Sequence, residues 1–314
     1  MIELHQSELM PEVWLTYKTP LIRQLAFSVA SPNILSAVPE QLPIQHTFEF
    51  HANAFWQKHY QAYQSRLAYL DSHPEAVYEF LNQLKSTRLG LRFEMLMWFW
   101  LRDRDYHPFE LLGHSIQIID GAKTVGELDF LLCNHDTKQV EHWEVALKYY
   151  LAETDCSLAH WYGLNRSDTL ARKLNHFSQK QFQFKQALDV SIERRFAVLK
   201  GQLYFATYHL KESATILSPH WVNRARRLGL WGSDIPAPAE QFYRLQRHEW
   251  ICQNAQVSSL PNQWWTDGLY FQAAHSQFYM YRAAPLISYL PLTRCITVST
   301  FYYASTIKVT YLLF

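Results

Sequence analysis

Residues 123–151, "KTVGELDFLLCNHDTKQVEHWEVALKYYL", limit the possible folds more than any other stretch of the chain. Two apolar segments with period-two alternation flank the polar turn "NHDTKQ", a pattern that calls for paired strands. Upstream, "HSIQIID" and an Asp120-Gly121 turn extend the pair into a β-hairpin. On the third strand Val140, His142, Glu144, Ala146 and Lys148 fall on one face, and Trp143, Val145, Leu147 and Tyr149 on the other. A helix is the alternative for its second half. Two positions break the apolar pattern, Asp129 and Glu144, each an acid where a core-facing residue is expected. Buried carboxylates are costly unless paired, hydrogen-bonded or bound to a cation.

Around these strands the pattern is helical. "RLGLRFEMLMWFWLRDR" is apolar on nearly every side and reads as a buried core helix, with Glu94 its only acid before Asp103. An ion pair to Arg92 or Arg88 is the structural explanation for Glu94. Phe55–Leu70 and "DSHPEAVYEFLNQLK" predict two further helices, the second capped by Asp71 or Ser72 with Pro74 in its first turn. Pro11, Pro20, Pro32, Pro39 and Pro43 break the first fifty residues into loops with brief helices or edge strands. After Trp161, Leu170, Leu174, Phe177 and Phe184 recur at helical intervals behind Ser167 or Asp168 as cap. That helix carries Arg172, Lys173, Lys180 and Lys185 on its polar face, and "RRFAVLKGQLYFATYHL" follows as a strand or hairpin. The order predicts an α/β protein: a mainly helical N-terminal extension over 1–86, a core over 87–215 and a partly helical C-terminal extension over 216–314. From Ala283 the tail has neither acid nor glycine; a terminal hairpin is one reading, and no function attaches to it.

Charge is unevenly spread. Between His160 and Leu230 twelve Lys and Arg face four Asp and Glu, a net of +8, which leaves −7 for the rest of a chain whose formal total is +1. Such a split points to a polyanionic partner, with a solvated helix face as the plainer explanation. No run approaches the roughly 18 apolar residues of a membrane helix, so no membrane partner is expected. The first residues lack a secretory pattern, and Cys133, Cys156, Cys252 and Cys295 form no CxxC pair. A cytoplasmic location is the expectation. The many Trp and Tyr residues read as core packing.

If the faces of the two acid-bearing strands coincide, Asp129 and Glu144 meet where the strands join. Carboxylates that close repel, and one stays protonated unless a cation lies between them. Mg²⁺ or Mn²⁺ suits oxygen ligands and leaves room for a phosphate. Lys148 lies two side-chain positions along the same face, able to orient water or offset developing charge, and Glu94 could join from the helix behind. The plainer reading is strand acids satisfied by arginines or backbone donors. His114, His135 and His142 read as turn or strand-surface residues, since their spacing fits no zinc site.

The succession "GLRFE", "GELDFLL", "HWEVALKYYL" and a basic helix resembles the PD-(D/E)XK nuclease superfamily. More closely, Gly90–Leu151 with "GLNRSDTLARKLNHF" and "LGLWG" resembles a bacterial family described as domain of unknown function 1853. The resemblance implies a restriction-endonuclease-like mixed sheet flanked by helices. It also implies a metal site of Glu94, Asp129 and Glu144, with Asp129, Glu144 and Lys148 as catalytic residues. Two departures stand out: Ala146 occupies the motif's lysine position, and Leu128 rather than proline precedes Asp129. Three functions follow as expectations. One is a metal-dependent nuclease on DNA or RNA whose Arg172, Lys173 and Lys180 hold the phosphate backbone. Another is an inert nuclease-fold module that binds nucleic acid or protein. The last is a basic surface serving a protein or small anion.

Overall fold

The helical periodicities resolve before any sheet strand. The structure, a computed structural model, describes residues 9–212, 218–253 and 264–283. It opens with α1 (Pro20–Ala30), α2 (Asn53–Ser72), α3 (Glu75–Leu81) and α4 (Leu89–Arg102). Pro20 stands in the first turn of α1, where a missing N–H breaks no helical bond, and every later residue of that helix is buried. Asp71 does not cap α3. It closes α2 and accepts hydrogen bonds from Lys18 N (2.9 Å) and Thr19 N (2.7 Å), tying the end of α2 to the start of α1. Pro74 takes the capping position of α3 instead.

Next comes a hairpin of β1 (Phe109–Asp120) and β2 (Lys123–Asn134). Gly121 turns it with a φ of 61°, a left-handed conformation open to glycine at little cost. Then β3 (Gln139–Ala152) is strand along its whole length, which removes the helical alternative for its second half. After β4 (Trp161–Tyr162) comes α5 (Leu170–Gln179), and then a small hairpin of β5 (Gln186–Ala187) and β6 (Val190–Ser191). Phe184, expected on α5, lies beyond a 3₁₀ turn at Gln181–Gln183 and packs on the cluster of Leu128 and Leu131. The basic apolar run becomes β7 (Arg194–Ala206) and α6 (Thr207–Glu212).

From residue 216, where the sequence predicts a partly helical extension, the described part supplies β8 (Gly229–Gly232), β9 (Phe242–Arg244), β10 (Gly268–Gln272) and β11 (Gln277–Tyr281), together with 3₁₀ turns at Ala239–Gln241 and Arg247–Trp250. The tail from Ala284 lies outside the described residues.

These strands build one mixed sheet in the order β1-β2-β3-β7-β8-β11-β10-β9, with β4 on the end of β3. Its centre is parallel: β3 with β7, β7 with β8, and β8 with β11. The crossover from β3 to β7 passes through α5, as parallel neighbours require. Alternation along β3 feeds two cores. Trp143, Val145, Leu147 and Tyr149 join the residues of α1, α2 and α4 on one face. Ala146 and Tyr150 join Leu170, Leu174 and Phe177 of α5 on the other. The first core runs from Trp14 through Trp100 and Trp143 to Leu269, so N-terminal and C-terminal segments share it. The architecture is therefore a mixed α/β sheet with helices on both faces. Among the described residues no helix is long and apolar enough to cross a membrane.

Two features of this packing are testable. Gly201 has a φ of 125° and pairs with Lys148, and a Cβ there would overlap the Lys148 carbonyl. Gly201→Ala is expected to lower stability by roughly 3 kcal/mol or more, because both strain and overlap must be relieved at the central strand pair; denaturant unfolding would check this. His59 is 3% exposed between the rings of Phe55 and Trp100, and burial lowers its pKa to about 4. In the unfolded chain it takes a proton near pH 6.5, so stability intact above that pH is lost as pH falls towards 4. Between pH 7 and 5 the loss from His59 is expected to be about 2 kcal/mol. A His59→Leu variant that unfolds with the same pH dependence as the parent would refute this assignment.

Candidate functional site

The site lies where two strands part. β2 and β3 pair from Asn134↔Gln139 to Phe130↔Trp143, and there the ladder ends. Beyond this point β2 stays with β1 and β3 stays with β7, so the sheet forks. Side chains take over at the fork. Val145 N–H donates to Asp129 Oδ2 (2.8 Å), and Asp129 N–H donates to Glu144 Oε1 (3.5 Å). Backbone donors that lose a ladder partner must find another acceptor. The two strand acids supply it.

Glu144 is wholly buried. Its Oε1 is 2.7 Å from Nε2 of His142, also wholly buried, and its Oε2 accepts the Gln181 side-chain amide. Gln181 Oε1 in turn accepts from Lys173 Nζ (2.9 Å). A chain of contacts thus joins Lys173, Gln181, Glu144 and Asp129. Lys173 reaches it because Thr169, not Ser167 or Asp168, caps α5, its hydroxyl accepting from Arg172 N (3.1 Å). That phase puts Lys173 in one stripe with Leu170, Leu174 and Phe177, its amine 4.0 Å from the Phe177 ring centroid.

Burial sets the electrostatics. Glu144 is pushed up to about 8 by loss of water, with the Lys173 ammonium the strongest opposing influence. Asp129 is raised well above the carboxylate range by burial, then by Glu144 beside it and Glu94 behind it. Lys173 is lowered by burial, while the carboxylates of Glu144 and Asp129 pull it back up. His142 falls to about 3 through burial and is neutral at physiological pH. Its Nδ1 finds no hydrogen-bond partner among the described residues.

The other expected site residues lie near but apart. Lys148 keeps the strand face of Glu144 and forms an ion pair with Asp168 (2.6 Å). Glu94 comes from α4, on the opposite side of the sheet, and pairs with His114 Nε2 (2.9 Å), whose ring stacks on Trp98. Neither arginine proposed for Glu94 holds it, since Arg92 Nε donates to Gln24 (2.7 Å). Among the described residues no three His, Cys, Asp or Glu side chains are arranged to hold a metal ion. Asp129 and Glu144 meet; Glu94 reaches them only through its field on Asp129.

Arg172 and Lys180 stay on the exposed face expected of them, and with Asn175 and His176 they line an open groove of about 600 Å³ beside Lys173. Sequence reasoning put His142 on a strand surface, whereas it is buried against Glu144. The signal was its place two residues before Glu144 on one face. His114 is likewise no surface residue but the partner of Glu94, while His135 is exposed in its turn and 3.2 Å from Glu110. Gln181 had no signal, because its position depends on the 3₁₀ turn that folds back after α5.

Comparison with curated proteins and with solved structures finds no match. The family profile described as Domain of unknown function (DUF1853) does match, over residues 23–293, and the chain belongs to that family.

Proposed function

We propose that the protein is a metal-dependent phosphodiesterase acting on DNA or RNA, with its reacting centre at the fork between β2 and β3. The observation that carries this reading is the pair of half-buried Asp129 and buried Glu144, with the Lys173 amine beside it and a basic groove alongside. Resemblance to the PD-(D/E)XK nucleases in the order of helix acid, strand acids and basic helix supports it further. So does the +8 charge of residues 160–230.

The donor set suits a hard divalent ion. Two adjoining carboxyls largely withdrawn from water hold protons above their usual range, which is the state that Mg²⁺ or Mn²⁺ relieves. Mg²⁺ commonly uses one or two carboxylates, with water and substrate phosphate completing its shell, so the lack of a third ligand is compatible with it. When bound, the ion would supply Lewis-acid stabilisation and a more acidic water. Asp129 and Glu144 would hold it, with Glu94 contributing charge from behind. His142 and Gln181 fix the two oxygens of Glu144 and keep its carboxyl in one orientation. Lys173 takes the part that Ala146 cannot, offsetting negative charge as it grows on the phosphate. Lys148, held by Asp168, adds positive potential at the same face, and Arg172 and Lys180 hold adjacent phosphates from the groove.

A second reading rests on two observations: Ala146 stands at the motif's lysine position, and among the described residues no third acid joins Asp129 and Glu144 to hold a metal. An inert module would bind nucleic acid at the groove without cleaving it. The two separate cleanly. Labelled DNA and RNA incubated with Mg²⁺, Mn²⁺ or EDTA should be cleaved only with metal, and Glu144→Gln or Lys173→Met should each lower the rate about a hundredfold or more. Mn²⁺ should also raise the melting temperature of the parent protein by about 2–4 °C when well above its Kd. Glu144→Gln should abolish that shift. Cleavage that survives Glu144→Gln would remove the fork as the reacting centre, and binding without cleavage or metal response would leave the inert module.

A further inference from the structure

A second groove, of about 400 Å³, is lined by residues of β9, β10 and the Arg247–Trp250 turn, with Leu164. Its charged lining is Arg244, Arg247 and Arg282 against Asp267 alone, a net of +2. The arginines are set in place by structure. Arg247 belongs to the 3₁₀ turn Arg247–Trp250, closed by the Gln246 N–H donating to Glu249 Oε2 (2.8 Å), and its guanidinium carbon is 4.2 Å from the Trp250 ring centroid. Trp250 is tied to the central sheet by Tyr149, whose hydroxyl donates to the Trp250 carbonyl (2.6 Å). Arg244 donates to the Asp267 carbonyl (3.0 Å), and Gly268 gives it room, since a Cβ there would come 3.0 Å from its Nε. Arg282 lies 3.5 Å from Asp267 Oδ2. No described carboxylate forms an ion pair with Arg247. Guanidinium forks held in this way match phosphate oxygens in shape and charge.

This groove is joined to the fork by one short loop. Leu164 lines the arginine groove, whereas Ser167 and Asp168 line the groove beside Lys173. Gly163 N–H donates to the Asp168 carbonyl (2.6 Å), and Asp168 holds Lys148, so the loop is drawn tight. Three residues span at most about 10 Å, roughly three nucleotides of a stacked strand.

We infer that the arginine groove is a second phosphate subsite, which holds the backbone of a nucleic-acid strand a few nucleotides beyond the fork. The inference rests on the proposed nucleic-acid reading and adds to it a direction for the strand: over α5, across the 163–168 loop and into the groove of Arg244, Arg247 and Arg282. A substrate too short to cross the loop occupies only the groove beside Lys173.

Fluorescence anisotropy on the full chain, in EDTA to prevent cleavage, tests this with labelled single strands of about 20 and about 2 nucleotides. The double variant Arg247→Ala/Arg282→Ala should weaken binding of the long strand about tenfold near 0.1 M salt, reduce the salt slope by about one to two, and leave the short strand unaffected. Asp267→Asn removes the opposing charge while keeping an oxygen for the Ala283 N–H now bonded to it (2.6 Å). It should tighten long-strand binding severalfold, a gain that misfolding cannot mimic. Unchanged long-strand affinity and slope in the double variant, together with no gain in Asp267→Asn, would overturn the subsite. So would a double variant that loses affinity for inorganic pyrophosphate but not for the strand, which would make the groove a small-phosphate site. A parent protein that binds no strand would remove both readings. Intact binding with no metal-dependent cleavage would remove only the hydrolytic one.

Discussion

The end of the β2–β3 ladder is the constraint on which the rest of the site depends. Past Phe130↔Trp143 two strands leave each other, and their backbone donors must be satisfied by something other than a facing carbonyl. Asp129 and Glu144 answer that need with carboxyl oxygens and are thereby held together, Glu144 buried and Asp129 half-buried. An elementary hydrogen-bonding requirement therefore brings two carboxyl groups together at one point, where loss of water favours their protonated forms. His142, Gln181 and Lys173 are arranged around the consequence. Each either fixes an oxygen of Glu144 or offsets its charge.

Packing explains why this point can be polar. The central strand serves two cores by alternation: its odd-numbered residues from Trp143 to Tyr149 face α1, α2 and α4, and Ala146 and Tyr150 face α5. Glu144 and Lys148 share the face of Ala146, and on that face Gln181 bonds Glu144 while Lys173 bonds Gln181. Glu94 belongs to the other layer and reaches the site only by its field through the fork.

Local pattern made much of this legible. Period-two alternation over 123–151 predicted β2 and β3 and the shared face of His142, Glu144 and Lys148. The buried character of α4 followed from its all-round apolar sequence. Interactions between distant segments were not legible. Asp71 resembles a cap for the helix after it, yet it serves the start of α1, over fifty residues away in sequence. Lys173 looked like one more cation on a basic helix. Its place three residues after Leu170 and four before Phe177 was the sign that it shares the buried stripe, but only the docking of α5 shows what it meets there. The C-terminal strands were missed because they are three to five residues long and pair with each other and with β8, too brief to leave a period.

Ala146 carries a consequence of its own. It is 8% exposed and enclosed by the α5-side core, where a lysine would have to sink its ammonium among Leu170, Leu174 and Tyr150. The amine arrives instead on the helix that closes over the strand. Acids and amine thus come from different elements, the acids from the sheet and the amine from a ten-residue helix packed on it. Leu170, Leu174 and Phe177 seat that helix in the core beside Ala146 and Tyr150, so the packing that buries its apolar stripe is also what carries Lys173 to Gln181 and Glu144.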